Sequence, residues 1–283
     1  MSWVVENSLA WYHKLFINIL KCGPIPRHIA FIMDGNRRYA SKQNVNKAVG
    51  HTRGFDKLAE TLLWCREMGV REVTVYAFSI ENFKRSEEEV ETLMQLAKEK
   101  YAKILEEKDK LHENGVCIRV IGNLNLIPKD LRKSIAQAVL MTKNNNKSFL
   151  NVAFAYTSRD EITNSMQTIA TSDLDAEEID SDLISSCMYS SESERPDILI
   201  RSSGEVRFSD FLLWQIWNTN VIFTDVLWPD FSVWHFFACI FQYQRCYKNM
   251  QLVGESLEKE PKGGKTMAGL EERRLKQLEI YAS

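Results

Sequence analysis

No window of this chain approaches the roughly 20 consecutive apolar residues that span a bilayer, so no membrane-crossing helix is expected. Nothing at the start combines a basic segment, an apolar core and a small-residue cleavage site, and a cleaved leader is not expected. The six cysteines (Cys22, Cys65, Cys117, Cys187, Cys239, Cys246) contain no C-x-x-C pair, and the five histidines are scattered as well. A zinc site or a disulfide framework is therefore excluded from the leading expectations, and a reducing compartment fits. A surplus of one charge is missing too: 36 basic and 38 acidic residues leave a formal net charge of −2. That balance argues against nucleic acid as a partner. There is no DDxxD carboxylate pair and no internal repeat. Gly264-Lys265-Thr266 looks like half of a phosphate-binding loop, but Lys259 stands where its first glycine belongs and no strand precedes it. What remains is ordinary for a globular protein, 45% apolar and 26% charged over 283 residues, a length for one large domain or two small ones.

What the chain does have is concentrated in His28 to Arg38, HIAFIMDGNRR. An apolar run, Ile29 to Met33, passes at once into Asp34, Gly35, Asn36, Arg37 and Arg38, the pattern of a buried strand ending in a turn. Gly35 can take φ > 0 and let the backbone bend. Amides freed at such a bend suit an anion. Arg37 and Arg38 add forked positive charge matched to phosphate oxygens. Asp34 has the opposite sign and would repel a phosphate unless a cation lay between them, and one carboxylate plus substrate phosphates is a common way to hold Mg²⁺. Two readings are open at this point. One is a metal–diphosphate site at the end of the first strand; the other is a polar turn with Asp34 as a helix cap.

Ahead of this stretch, Ser8 to Leu20 carries Leu9, Tyr12, Leu15, Phe16, Ile19 and Leu20 at helical spacing, with Trp3 and Trp11 adding aromatic bulk. Such an amphipathic helix suits a membrane interface or the protein's own surface. Behind it, the basic run from Asp34 to Arg53 has five Lys/Arg and one Asp. Phe55, Leu58, Ala59, Leu62 and Leu63 then make a helical face ended by Gly69. Further strands are predicted over Val73 to Phe78, Cys117 to Ile121, Phe149 to Ala155, Ile198 to Ile200 and Val221 to Phe223. Ser86 with Glu89 predicts a capping box opening one long helix to about Asn114-Gly115. Pro128 starts another helix, Ser158 and Glu161 cap the next, and Thr171 to Asp182 reads as acidic surface. Phe231 to Tyr243 is apolar nearly all round and is expected to be buried, in the core or against another subunit.

Strands alternating with helices predict an α/β fold, a six-stranded mostly parallel sheet surrounded by helices. Parallel strands gather their carboxyl ends, and ligands bind there. Three of those ends run into polar clusters carrying Arg38, Arg85, Arg201 and Arg207. Four arginines on one edge repel one another unless an anion arrives, and two anionic substrates use four more naturally than one.

With these residues in view, the chain resembles the cis-prenyltransferases, the undecaprenyl and dehydrodolichyl diphosphate synthase family, from about Pro24 to Tyr247. The motifs that carry the resemblance are MDGNRR at Met33 to Arg38, Gly50-His51, YAFSIENFKR at Tyr76 to Arg85, IRSSGEVRFSDFLLWQ at Ile200 to Gln215 and VLWPDF at Val226 to Phe231. It is most similar to the animal dehydrodolichyl branch, which also opens on an MSW-type amphipathic helix. Phe83 stands where bacterial members often have Trp, and Lys47 where many have Arg. The resemblance implies an apolar tunnel and sequential cis-condensation of isopentenyl diphosphate onto farnesyl diphosphate. The product would be a long-chain polyprenyl diphosphate, precursor of the dolichol carrier for protein glycosylation. It implies Mg²⁺ held by Asp34 against the allylic diphosphate, which Gly35, Asn36, Arg37, Arg38, His51 and Arg85 would cradle. It assigns Arg38, Ser79, Arg85, Arg201, Arg207 and Ser209 to isopentenyl diphosphate. It casts Asn82 as a helper in proton removal, although an amide is a poor base and the released diphosphate is an alternative.

Two departures stand out. Where homodimeric members have a metal-binding Glu after the WQ, this chain has Asn220, which puts a second metal ligand in doubt. Where they end on R-x-G, this chain reads Arg245-Cys246-Tyr247. Eukaryotic relatives resolve that with a non-catalytic subunit related to the Nogo-B receptor, whose tail supplies R-x-G, and such a partner is expected here. Location at the cytosolic face of the endoplasmic reticulum membrane follows from the same resemblance. A short insertion near Glu107-Lys108-Asp109 resembles long-chain members, or is a solvated extra turn. The expected organisation is an amphipathic helix over 1–23, the catalytic domain over 24–250 and a polar tail over 251–283. A non-catalytic subunit should have lost Asp34 and the arginines, and these remain. An aspartyl-nucleophile phosphatase wants a second carboxylate two residues on, where Asn36 stands. A trans-prenyltransferase is disfavoured by the missing DDxxD.

Overall fold

The structure, a computed structural model, describes residues 9–172, 174, 176–257 and 269–283. Trp3, Ser8 and Gly264-Lys265-Thr266 lie outside the described residues. Helix α1 (Trp11–Leu20) precedes strand β1 (His28–Ile32); α2 (Asn36–Lys42) and α3 (Lys47–Met68) lead to β2 (Glu72–Ser79). Then come α4 (Glu87–Glu106), α5 (Lys108–Glu113), β3 (Val116–Ile121), α6 (Lys129–Thr142) and β4 (Ser148–Tyr156). Helices α7 (Ser158–Ala170) and α8 (Ser181–Ser186) precede β5 (Ile198–Arg201). A long loop leads to β6 (Asn220–Phe223), and α9 (Val233–Leu257) and α10 (Leu270–Ala282) complete the order. The six strands form one sheet in the order β3-β4-β2-β1-β5-β6, and every pair is parallel.

Every residue of β1 and β5 is buried, as parallel strands covered on both faces require. The two-residue period divides them. Ile29 and Phe31 join Val73, Val75, Ile198 and Ile200 in the larger core under α3, α4, α6 and α9. Ala30 and Ile32 join Leu199 on the other face, where Phe211 and Leu212 of the β5–β6 loop cover them. Truncating a fully buried ring such as Phe31 to alanine costs about 3–5 kcal/mol. Strand β1 pairs with β2 on one side and β5 on the other, so the strand order turns back there. Such a reversal opens a crevice at the carboxyl ends, and Ile32 is in register with Arg201 across it.

The local differences from expectation have tertiary causes. Much of the basic run is helical: α3 starts at Lys47, capped by Asn46, whose side chain accepts from Ala48 N at 2.9 Å. Ser86 precedes α4 but makes no side-chain cap bond, and the Glu89 carboxylate, the other half of the expected box, is drawn to Arg85 and Lys47. The long helix is broken at Glu107, where the insertion was placed. Helix α7 is capped by Thr157, which accepts from Asp160 N at 3.3 Å. Ser158 and Glu161 are buried, and Glu161 receives Tyr156 Oη at 2.5 Å and Ser190 N at 2.9 Å. Helix α9 is not buried all round: Phe236 and Ile240 are inside, whereas Trp234 and Phe241 are exposed. Helix α1 lies against it, with Phe16 and Trp234 rings 4.9 Å apart, and leaves Trp11, Leu15 and Ile19 exposed. The stretch from Gln251 holds the end of α9 and helix α10, where Arg132 of α6 sits 4.9 Å over the Tyr281 ring. Among the described residues, no helix is long and apolar enough to cross a membrane.

Candidate active site

The site is built from the loops that leave β1, β2 and β5. Asp34 N donates to Ser202 Oγ at 3.0 Å, and Ser202 Oγ donates to Asp34 O at 2.7 Å, which joins the ends of β1 and β5. Gly35 has φ 105°, a conformation that a side chain resists, and its N–H returns to Asp34 Oδ1 at 2.7 Å. Asp34 Oδ2 accepts from Arg201 Nη2 at 2.9 Å. Burial alone would raise the Asp34 pKa, but the Arg201 bond and charge, the Gly35 amide and Arg38 outweigh it and hold the carboxyl below its ordinary value. The helix-cap alternative does not form, since Gly35 precedes α2 without any side-chain cap bond.

Helix α2 carries Asn36, Arg37 and Arg38. A Cβ at Gly54 of α3 would fall 2.4 Å from Asn36 Oδ1, so glycine is what lets the two helices touch there. Buried Trp228, from the VLWPDF stretch, donates its N–H to Asp34 O at 3.0 Å and Nε1–H to Gly54 O at 2.7 Å, which fixes the floor. Asn36 Oδ1 and His51 Nε2 are buried without a protein partner. Burial first, and then the Arg85 charge, lowers the His51 pKa below its ordinary 6.5, so the imidazole is neutral at pH 7.

At the end of β2 the capping box foreseen at Ser86 forms seven residues earlier. Ser79 N donates to Asn82 Oδ1 at 3.1 Å, and Glu81 N donates to Ser79 Oγ at 3.2 Å, closing the 3-10 turn Ile80–Lys84. The Asn82 amide oxygen is thus engaged by backbone. The turn delivers Arg85, whose Nη1 donates to Glu89 Oε1 at 2.9 Å. Glu89 also lies 3.9 Å from Arg37 Nη1 and accepts from Lys47 Nζ at 3.3 Å.

At the end of β5, the Arg201 side chain is buried, with both terminal nitrogens engaged and Nε left without a protein partner. Its Nη1 donates to Arg207 O at 2.5 Å and to Ser209 Oγ at 2.7 Å, while Nη2 takes Asp34. Arg38 Nη2 donates to Ser203 Oγ at 2.5 Å and lies 3.5 Å from Glu205, which also pairs with Arg207. Arg38, Arg85, Arg201 and Arg207 therefore do meet at the carboxyl edge. They sort into sets: Arg37, Arg85 and Lys47 around Glu89; Arg38 and Arg207 around Glu205; Arg201 on Asp34. Six cations against three acids leave an edge that an arriving anion relieves.

Below Asn36 and His51, a cleft open to solvent lies between β2, α3 and α4, with Met33, Leu58, Val75, Phe78, Leu93 and Tyr101 in its wall. Among the described residues, no group of three or more His, Cys, Asp or Glu could hold a metal by itself. Asp34 is one hard oxygen donor in a cationic edge, so Mg²⁺ fits this donor set only with phosphate oxygens from a ligand completing the shell. Asn220 is level with Ile198, three residues before the Arg201 pair. That is about 10 Å back along the strand, at the far end of the sheet from Asp34, so no side chain at that position adds to an Asp34 site within this chain.

Sequence reasoning missed Glu89, Glu205, Ser202 and Ser203 as members of the site. The available signals were slight: Glu89 is four residues beyond Arg85, a pairing distance on a helix, and the serines directly follow a buried strand.

The undecaprenyl diphosphate synthase family model matches residues 32–251. Human dehydrodolichyl diphosphate synthase complex subunit DHDDS is 53% identical over 266 residues, covering 93% of this chain and 80% of that protein. A dehydrodolichyl diphosphate synthase complex subunit of Schizosaccharomyces pombe is 44% identical over 249 residues, covering 86% and 93% respectively. The fold matches that of lavandulyl diphosphate synthase from Lavandula x intermedia, solved with dimethylallyl diphosphate. The TM-score is 0.73 at 28% identity, over 78% of this chain and 95% of that one. The matched stretch includes strands β2 to β6 and the charged edge from Asp34 to Arg207, and the chain belongs to the undecaprenyl diphosphate synthase family of prenyltransferases.

Proposed function

We propose that this chain is the catalytic subunit of a dehydrodolichyl diphosphate synthase. It condenses isopentenyl diphosphate, repeatedly and in cis, onto farnesyl diphosphate, and the long-chain polyprenyl diphosphate is the precursor of the dolichol carrier for protein glycosylation. The observation that carries this reading is the division of the cations into one cluster around Glu89 and another around Glu205, with Asp34 and Arg201 between. Two diphosphates call for two such clusters. Asp34, Gly35, Asn36, Arg37, His51 and Arg85 take the allylic diphosphate; Arg207 and Ser209, with Arg201 behind them, take isopentenyl diphosphate. Arg38, bonded to Ser203 and paired with Glu205, sits where it can reach both.

Asp34, together with diphosphate oxygens, would hold Mg²⁺, which when bound would supply neutralising charge to the leaving allylic diphosphate. The guanidinium groups meet the same growing charge with donors already in place, which is the main source of rate in such sites. Ser79 acts by holding the turn that presents Arg85. Asn82 is engaged by Ser79, so the proton lost from the isopentenyl carbon goes to an oxygen of the released diphosphate. The apolar cleft takes the hydrocarbon as it grows, and it is the mouth of the tunnel that a long product needs. That product leaves toward lipid, and the exposed Trp11, Leu15 and Ile19 face of α1 supports a seat on the cytosolic surface of the endoplasmic reticulum membrane. The relatives' names as complex subunits, and the ending Arg245-Cys246-Tyr247 on α9, support a Nogo-B-receptor-like partner that supplies an R-x-G tail.

The test is incorporation of radiolabelled isopentenyl diphosphate by the purified chain, with and without that partner, and sizing of the product. The chain alone is expected to be nearly inactive and the pair to make long polyprenyl products. Full turnover by the isolated chain would overturn the heteromeric reading, and no prenyl product under either condition would overturn the activity.

A further inference from the structure

Left-handed backbone outside glycine is gathered mostly in one place. Ser203, Ser209, Asp210 and Leu212, all in the β5–β6 loop, have φ of 83°, 51°, 59° and 50°. Residues with side chains hold such conformations only where their surroundings over-determine them. The last three lie just beyond Arg207, and what holds them comes from helix α7 and strand β2. Ser158 N, at the head of α7, donates to Asp210 O at 2.8 Å, and Ser158 Oγ accepts from Leu213 N at 2.8 Å. Arg159 closes on the Asp210 carboxylate twice, N to Oδ1 at 3.2 Å and Nε to Oδ2 at 2.7 Å. From β2, Tyr76 Oη donates to Ser209 O at 3.2 Å, and its ring stacks on buried Phe211 at 4.5 Å. On the far side of this clamp, Arg201 Nη1 donates to both Arg207 O and Ser209 Oγ.

We propose that Asp210, clamped by Ser158 and Arg159, is a positioning residue for the isopentenyl diphosphate site: it holds the left-handed turn that sets Arg207 and Ser209 around Arg201. Its role rests on the assignment of Arg207 and Ser209 to that diphosphate. Asp210 does not reach the cation clusters itself; its carboxylate is engaged by Arg159, and its effect is geometric. Aspartate suits the task twice over. It tolerates the left-handed region better than most side chains, and its two oxygens accept from the Arg159 amide and guanidinium together. Asparagine keeps the tolerance and one acceptor. Glycine keeps only the backbone freedom, and alanine keeps neither.

The experiment is steady-state kinetics on the full-length chain in the complex isolated from its native cells, with the two substrates varied independently and thermal unfolding followed in parallel. Asp210→Ala and Asp210→Gly are expected to raise KM for isopentenyl diphosphate about tenfold and Asp210→Asn about threefold at most, with KM for farnesyl diphosphate within about twofold throughout. A lower unfolding temperature with an unchanged isopentenyl KM would make Asp210 merely structural and overturn the proposal. A wild-type KM in Asp210→Gly would also overturn it, because backbone freedom rather than the clamp would then set the turn. If the alanine variant does not fold, the asparagine and glycine variants decide. Arg207→Ala separates the two levels of inference. A raised isopentenyl KM there, with none in the Asp210 variants, sinks the clamp alone; an unchanged KM there sinks the site assignment and the clamp with it.

Discussion

The two ends of the sheet use the same kinds of residue and close their charges differently. At the amino end, buried Glu72 accepts from Asn151 Nδ2 at 2.6 Å, and the same amide donates to Thr74 Oγ1 at 2.9 Å. Thr74 Oγ1 lies 2.7 Å from His28 Nε2, and His28 Nδ1 lies 2.6 Å from Glu194 O. Asp197 takes the Arg27 and His28 amides, and Arg119 lies 3.7 Å from Glu72. Acids there are answered by amides, hydroxyls and an arginine of the same chain. At the carboxyl end, Asp34, Glu89 and Glu205 face twice their number of cations. A polar network that closes on itself rigidifies a fold. One that keeps a surplus of a single sign is completed by something that arrives.

The contrast breaks most visibly at Asp34. Asp34→Ala is expected to lower Mg²⁺-dependent condensation at least about 100-fold, the scale of losing a main electrostatic element of a transition state, while the protein stays folded. Circular dichroism and product assays measure the two halves of that statement; retained turnover would end the metal assignment. Next in size is Arg207→Ala, which removes charge-assisted bonds worth roughly 1.5–3 kcal/mol each, and so raises the isopentenyl KM about 10- to 150-fold. Arg119→Ala, at the other end, should lower the unfolding temperature and leave both KM values alone. A rise confined to the allylic KM in Arg207→Ala would mean that the two diphosphate sites are exchanged. Glu205→Gln has the opposite sign. It frees Arg38 and Arg207 from their internal counterion, and a few-fold lower diphosphate Kd by calorimetry is expected, since exposed pairs are worth about 0–1 kcal/mol. Weaker diphosphate binding in that variant would show that Glu205 serves the ligand rather than standing in for it.

The strands and the meeting of the arginines were legible in the sequence because both follow from one-dimensional signals. Parallel strands buried on two faces are continuous apolar runs, and parallel order alone brings Asp34, Arg85 and Arg201 to one edge. The identity of each arginine's partner was not legible. Glu89 can cap its own helix or turn to Arg85 and Lys47, and Lys47 comes from another helix, so tertiary geometry decides. Ser158 was read as a cap for the same reason; its hydroxyl serves Leu213, 55 residues away. The left-handed residues Ser209, Asp210 and Leu212 include no glycine to announce them, because the clamp that enforces them comes from α7 and β2. Helix α10 was hidden by polarity: among its described residues only Leu278 and Tyr281, three residues apart, pack against the core, in a stretch otherwise crowded with charged and polar side chains, and Arg132 of α6 covers the Tyr281 ring.

The smallest effect separates the two ends by how their histidines titrate. Burial is the leading cause that lowers the pKa of both His28 and His51 from the ordinary 6.5. In the unfolded chain both bind protons near 6.5; in the folded protein they bind them only at lower pH. Between those values the unfolded state holds more protons, so stability rises with pH through that window and is lost as the pH falls below about 6.5. The sign is the same at both ends, and a ligand distinguishes them. Next to burial, His51 is held down by the positive charge of Arg85, and a diphosphate bound there offsets that charge and raises the imidazole pKa toward its ordinary value. His28, among Glu72, Asp197 and Glu194 at the other end of the sheet, has no such neighbour to neutralise. Imidazole proton NMR between pH 5 and 8, with and without inorganic diphosphate, is therefore expected to show an upward shift at His51 and none at His28. Equal shifts at both, or none at His51, would mean that the charged edge does not gather the anion for which its surplus is arranged.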